Sequence, residues 1–327
     1  AYFVPDEIAS ILALRFHVVL PVFIVLNLLV NCLCLIVTAR PKLQALHINM
    51  YIQLMAVIDL ASSVAHLPFV FDFEYCMYSN YGFAFYFSYF GWMLVYLLRS
   101  LGTSALVCLS FDRFMAIWFS QAFQKVKENS QKMLIIVYIW TIVSYIPIMS
   151  YGTVIDQGTN AWVSLPGYRF LESKFMSYYM IYLQLCFGVA PSLAIIVLST
   201  GLVTGIFKKN IVKCGAVKHN KQFYQTAAVL GVNLSYVLCF LPYQFIAATY
   251  RVDKGGCYGT LTGVMGLFWS QSLVMVWSTL NILIFFMINK AYQNEVKFLA
   301  SYVPCIKKQI GKITEYTSET TTNNSNV

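Results

Sequence analysis

The chain has 327 residues, of which 59% are apolar and only 11% charged, with a formal net charge of +9. A soluble domain carries about 25% charged residues, and no single water-soluble core of this length could bury so large an apolar share. Soluble enzymes, nucleic-acid binders and disordered chains are excluded, which leaves a polytopic membrane protein.

A charge at the bilayer centre costs at least ~2.5 kcal/mol on insertion scales, so intervals free of Asp, Glu, Lys and Arg mark the spans. Span one is predicted within 16–39, with Asn31 midway. Span two lies in 43–71, interrupted only by Asp59, and span three in 75–111, interrupted only by Arg99 and running on into Phe111-Asp112-Arg113-Phe114. Span four, 133–155, contains Trp140, and span five, 175–207, contains Pro191. Span six, 222–250, contains Cys239-Phe240-Leu241-Pro242. Arg251, Asp253, Lys254 and Gly255–Gly256 form a turn before span seven, 255–289, which carries Asn281-Ile282-Leu283-Ile284-Phe285 and ends at Asn289. Each interval exceeds or approaches the about 20 residues that a helix needs to cross hydrocarbon.

Seven spans put the termini on opposite sides. The loops after spans one, three and five, with the C-terminal tail, carry 16 basic and 5 acidic residues, against 5 basic and 7 acidic on the other face. Basic loops stay in the cytosol, so the N-terminus is expected outside and the tail inside. The basic balance reflects topology and not a nucleic-acid surface. The chain starts at Ala1 and reads as trimmed or as a fragment. No separate signal peptide precedes span one, which can act as its own insertion signal. No fixed-period repeat and no matched pair of broken short helices supports a transporter.

One landmark in each span, in order, resembles the class A (rhodopsin-like) G-protein-coupled receptors, with a texture closest to peptide receptors. The best local matches are Asp112-Arg113-Phe114, a variant of the family's Asp-Arg-Tyr, and Cys239 to Pro242. The resemblance implies an all-α bundle of seven transmembrane helices with a short amphipathic eighth helix, here Lys290 to Leu299. It implies that Asp112 holds Arg113 at rest and that Arg113 lines the opened cytosolic cavity on activation. Phe240 and Pro242 form the pivot of span six, with Asn281 and Phe285 as the corresponding span-seven positions. Gln222 stands where the family has the acidic partner of Arg113, so the latch is expected to be weaker than an ion pair. By the same resemblance Asp59 is the core of a sodium site, with Ser278 and Asn281 as neighbours and Asn31 holding a water network. The alternative is a protonated Asp59 that only packs helices.

The chain departs from the family in several places. Ser88 replaces the usual Cys at the outer end of span three, and residues 151–175 contain no Cys, so the family's disulfide cannot form. Cys76 and Cys257 are the remaining outer cysteines and the candidate pair. The other seven read as free thiols, with Cys305 a candidate for palmitoylation. Ile282 and Phe285 replace the Pro and Tyr of Asn-Pro-x-x-Tyr, and Ser199 replaces the family's span-five Tyr. Two hydroxyls of the family's active state are therefore altered.

Arg99 lies 14 residues before Arg113, about 21 Å along a helix. It is either a counter-charge for an acidic ligand group, or the internal partner of Asp59, or an Arg snorkelling outward among Trp92 and Tyr96. Span seven has no Lys for a retinal Schiff base, and Val95 stands where amine receptors carry Asp. Trp92, Tyr96, Arg99, Tyr182, Tyr243 and Trp269 are the candidate ligand-pocket residues, in an outer half rich in aromatics that also suit a membrane-interface belt. Neither a metalloprotease motif nor a phosphate-binding glycine loop is present, so an enzyme is not expected.

Residues 1–302 are read as the receptor domain and 303–327 as a mostly disordered cytosolic tail. The expected function is a plasma-membrane receptor that passes binding of an extracellular peptide or other small ligand to heterotrimeric G proteins. Membrane lipids and arrestin are further partners, with no cofactor beyond the candidate sodium ion. The alternative is a receptor-like bundle that does not couple and acts as a scavenger or dimer partner, with a transporter third.

Overall fold

In hydrocarbon a helix satisfies its own backbone polar groups, which is why charge-free intervals become helices. The computed structural model describes residues 10, 14–71, 77–78, 80–149, 153–156, 162–165, 174–208, 221–249 and 261–300. The side chains of Trp92, Tyr243 and Trp269 lie outside the described set, as do Cys76, Cys257, Cys305 and the tail from 301.

Among the described residues six helices are long and apolar enough to cross a bilayer: His17–Thr38, His47–Val70, Tyr81–Trp118, Ser120–Ile148, Tyr178–Lys208 and Gln222–Pro242. The seventh, Leu261–Ile288, runs 28 residues and turns through 96° into the terminal helix Lys290–Ala300. Each helix falls on a predicted interval, but span three runs on to Trp118, span four begins at Ser120, and Met77–Tyr78 and most of Thr153–Asp156, inside predicted intervals, are strands. Span three is the axis, packed against two, four, five and six, while seven closes the ring against six and one.

The bundle is apolar on its outer faces as well as in its core, and its buried polar side chains are set within that core. Ile135, Ile136, Val197 and Leu238 are more than half exposed, on the faces that lipid covers. Ser110, Asp112, Arg113 and Asn233 are buried, and their side chains join helices to each other.

Two local departures have plain causes. Span five widens into a π-turn at Leu185–Val189 just ahead of Pro191, whose ring nitrogen cannot donate to the preceding turn. The sharp break after span seven falls at Asn289, whose Oδ1 accepts from the backbone N–H of Ala291 at 3.1 Å and so caps the terminal helix. No proline is needed there.

At the end of the bundle away from Arg113, strands β1 (Met77–Tyr78), β2 (Thr153–Asp156) and β3 (Trp162–Leu165) form an antiparallel sheet in the order β1-β3-β2. Within an all-helical expectation this is an addition. It joins the loop after span two to the loop after span four by backbone hydrogen bonds, and Val154 packs on the cluster of Leu20, Phe69 and Val95.

Candidate functional site

The end of the bundle that carries Arg113 is the inner end expected from the charge count. There Asp112 is 1% and Arg113 5% exposed. Arg113 Nε donates to Asp112 Oδ2 at 3.0 Å, and Nη2 donates to the same oxygen. The other carboxylate oxygen meets His47 Nε2 at 3.0 Å, and the guanidinium lies 5.7 Å from the centre of the Phe123 ring. Asp112 and Arg113 are thus paired in this structure. His47 is a second support, and no motif in the sequence singles it out.

The partner on span six differs from expectation. Arg113 Nη1 donates to Gln225 Oε1 at 3.1 Å, while Gln222 is exposed and donates to the Ala116 carbonyl at 3.4 Å. Gln225 is one helical turn deeper, and that rotation carries it to the face turned toward span three. The latch is a hydrogen bond from a cation to a neutral amide, weaker than a carboxylate pair.

A second link lies deeper. Ser110 Oγ donates to Asn233 Oδ1 at 3.0 Å, and Asn233 Nδ2 donates to Ser199 Oγ at 2.9 Å. Ser199, in the place of the family's Tyr, is thus one end of a chain joining spans three, six and five. Spans three and five also approach closely: a Cβ on Gly201 would sit 2.6 Å from the Phe114 ring, and one on Gly205 2.6 Å from Ile117. Trp118 Nε1 donates to the Gly201 carbonyl at 2.9 Å. The spacing Gly201-x-x-x-Gly205 is a small-residue seam, and Phe114 fills it.

Above this level sits an aromatic cluster around Phe240. Phe240 stacks on Tyr236 at 4.7 Å between ring centres, and Tyr236 meets Trp277 edge-on at 5.3 Å. The Tyr236 hydroxyl bonds Ser192 Oγ at 3.1 Å. Pro242 lies inside the span-six helix and faces outward. Arg99 reaches this cluster, 5.8 Å from the centre of Phe240 and 5.6 Å from that of Tyr96.

A cavity of about 40 Å³ opens among spans one, two, three and seven, lined by Asn27, Asp59, Ser63, His66, Arg99 and Ser278 among others. Arg99 therefore faces inward. The direct Arg99–Asp59 ion pair is not formed, since no contact within 4.0 Å joins the two among the described ion pairs; they share the cavity. Asn27, which no family landmark marks, is the hub: Nδ2 donates to Ser63 Oγ at 3.0 Å, and Oδ1 accepts from Ser278 Oγ at 3.1 Å and from Asn31 Nδ2. Asn31 thus acts through Asn27. Asn281 is 1% exposed, and neither of its amide atoms has a partner among the described residues.

The remaining pocket candidates separate. Tyr182 packs between spans four and five, its hydroxyl 3.1 Å from Ser144 Oγ, away from the cavity. The side chains of Trp92, Tyr243 and Trp269, and the pair Cys76 and Cys257, lie outside the described residues. The described cysteines, Cys32, Cys34, Cys108, Cys186 and Cys239, are free thiols.

At the inner end of span seven, Ile282 and Phe285 are buried core side chains. The hydroxyl that Phe285 lacks has a neighbour: Tyr292 of the terminal helix is fully buried, 6.4 Å from the Phe285 ring, and its hydroxyl donates to Asn49 Oδ1 on span two at 3.0 Å. Glu295 in the same helix accepts from Arg40 Nε at 3.3 Å.

The family model of the seven-transmembrane receptors of the rhodopsin family matches residues 27–285, more than half of the 327 residues. The chain belongs to the rhodopsin family of seven-transmembrane receptors, and it is a multi-pass membrane protein of the signalling-receptor class. Among curated proteins none matches.

Proposed function

We propose that this receptor resides in the plasma membrane with its N-terminus outside, and that it converts binding of an extracellular peptide near Arg99 into activation of a heterotrimeric G protein at the Arg113 end. The observation that carries this reading is the latch between Arg113 and Gln225. It joins spans three and six in a closed bundle and can break in an open one, as a two-state receptor requires.

The path between the two ends is physical. Ligand binding in the cavity shifts Arg99, which lies over Phe240. Phe240 is stacked on Tyr236, so the pair turns together beside the helix-weakening Pro242. Outward movement of span six then breaks the bonds from Arg113 to Gln225 and from Ser110 to Asn233. A hydrogen bond contributes about 0.5–1.5 kcal/mol, and one to a charged group about 1.5–3. Opening thus costs roughly 2–4 kcal/mol from these two bonds, a size that differential ligand affinity supplies. An acidic group on the peptide suits the guanidinium of Arg99. Arrestin and lipids of the inner leaflet are further partners, the latter through the amphipathic terminal helix.

A second reading, a bundle that does not couple, is favoured by one observation. Ile282 and Phe285 are fully packed where the family has a helix-bending Pro and a hydroxyl. The test is G-protein dissociation in living cells, basal and across a peptide panel, for wild type and Arg113→Ala at matched surface levels. A signal abolished in the variant supports coupling. A bundle that stays silent with Gα in excess supports the second reading.

A further inference from the structure

We infer that the Asp59 cavity does not take a sodium ion in this receptor, because Arg99 is its resident cation. The resemblance to the family made Asp59 the core of a sodium site, and the residues around it can be tested against that ion. A hard cation asks for several free oxygens and a net negative surrounding. Asp59 supplies one carboxylate, 8% exposed. Two of the neighbouring oxygens are committed: Asn27 Oδ1 accepts from Ser278 and Asn31, and Ser63 Oγ accepts from Asn27 while donating to the Asp59 carbonyl at 2.9 Å. Of the two expected neighbours of the ion, Ser278 lines the cavity and Asn281 does not, and neither does Asn31, expected to hold the water network.

Charge decides the matter. Among the described lining residues, span two contributes Asp59 and His66, span three contributes Arg99, and spans one and seven contribute no charged side chain. One carboxylate and one guanidinium share about 40 Å³, so the cavity is neutral before any ion enters. A sodium ion would lose its water to join a site that already holds a cation, in surroundings of low dielectric where repulsion is poorly screened. Arg99 cannot give up its charge, since a guanidinium stays protonated in proteins. It is also positioned, with Tyr96 and Phe240 rings at 5.6 and 5.8 Å from its Cζ. Arg99 thus carries a fixed charge from beside the Phe240 ring into the cavity that Asp59 lines, and the resting state is independent of sodium.

The test is thermal unfolding of the purified full chain in sodium chloride and in choline chloride at equal ionic strength. It needs neither ligand nor G protein, so its outcome is separate from that of the coupling reading. The wild type is expected to unfold at the same temperature in both salts. Arg99→Gln is expected to gain a saturable, sodium-specific rise in unfolding temperature, which Arg99→Gln with Asp59→Asn loses. A saturable sodium effect on the wild type that Asp59→Asn removes would overturn the inference, and this arm needs no Arg99 variant to fold. An Arg99→Gln receptor that folds and stays blind to sodium would overturn it as well.

Discussion

Arg113 on span three donates from Nη1 to Oε1 of Gln225 on span six over 3.1 Å, with both side chains buried. The neutral acceptor makes the closed state easier to leave than a carboxylate would. Gln225→Leu removes the acceptor and is expected to raise basal G-protein activation by about tenfold to a hundredfold, the range that about 1.5–3 kcal/mol gives. Gln225→Glu supplies a carboxylate and is expected to lower it. Basal signalling at matched surface expression checks both directions.

The chain from Ser110 through Asn233 to Ser199 holds three spans with one amide. Asn233→Ala removes the amide between the two hydroxyls, and because Ser110 keeps the Leu106 carbonyl at 2.8 Å the cost is about 0.5–1.5 kcal/mol. Lower thermal stability of the purified receptor and higher basal signalling are expected together. An amide that merely packed the helices would change stability alone.

Gly201 has no room for a side chain, because its Cβ would meet the Phe114 ring at 2.6 Å. Gly201→Val is expected to push spans three and five apart and lower stability by about 1–3 kcal/mol. Phe114→Ala in the same background makes space and should recover part of the loss, which a double-mutant cycle on unfolding temperature reads directly.

Tyr292 carries the buried hydroxyl that ties the terminal helix to Asn49. Tyr292→Phe leaves Asn49 Oδ1 without its donor and is expected to loosen Lys290–Ala300. Faster amide exchange confined to that helix, with the seven spans unchanged, is the expected result.

Much of the fold is legible in the sequence because charge is so costly in hydrocarbon. Asp59 and Arg99 stand out within their spans for that reason, and Asn289 marks the end of span seven. Rotation is what the sequence withholds. Gln222 and Gln225 lie on the same helix one turn apart, and only the facing surface of span three selects between them. Asn27 and Asn31 are likewise one turn apart, and their bonding makes Asn27 the hub. Gly201 and Gly205 read as ordinary span residues, and their role emerges only with Phe114 and Ile117 packed against them. The outer sheet escapes a sequence reading because strands of two to four residues leave almost no alternation to detect.

A closed latch at Arg113 that opens to a G protein is tested most directly by nucleotide exchange on purified heterotrimer, driven by the receptor in lipid nanodiscs. Exchange is expected to rise above the receptor-free rate for wild type, rise further for Gln225→Leu and vanish for Arg113→Ala. Exchange no faster than the receptor-free rate for Gln225→Leu, with every Gα class supplied in excess, would contradict the account.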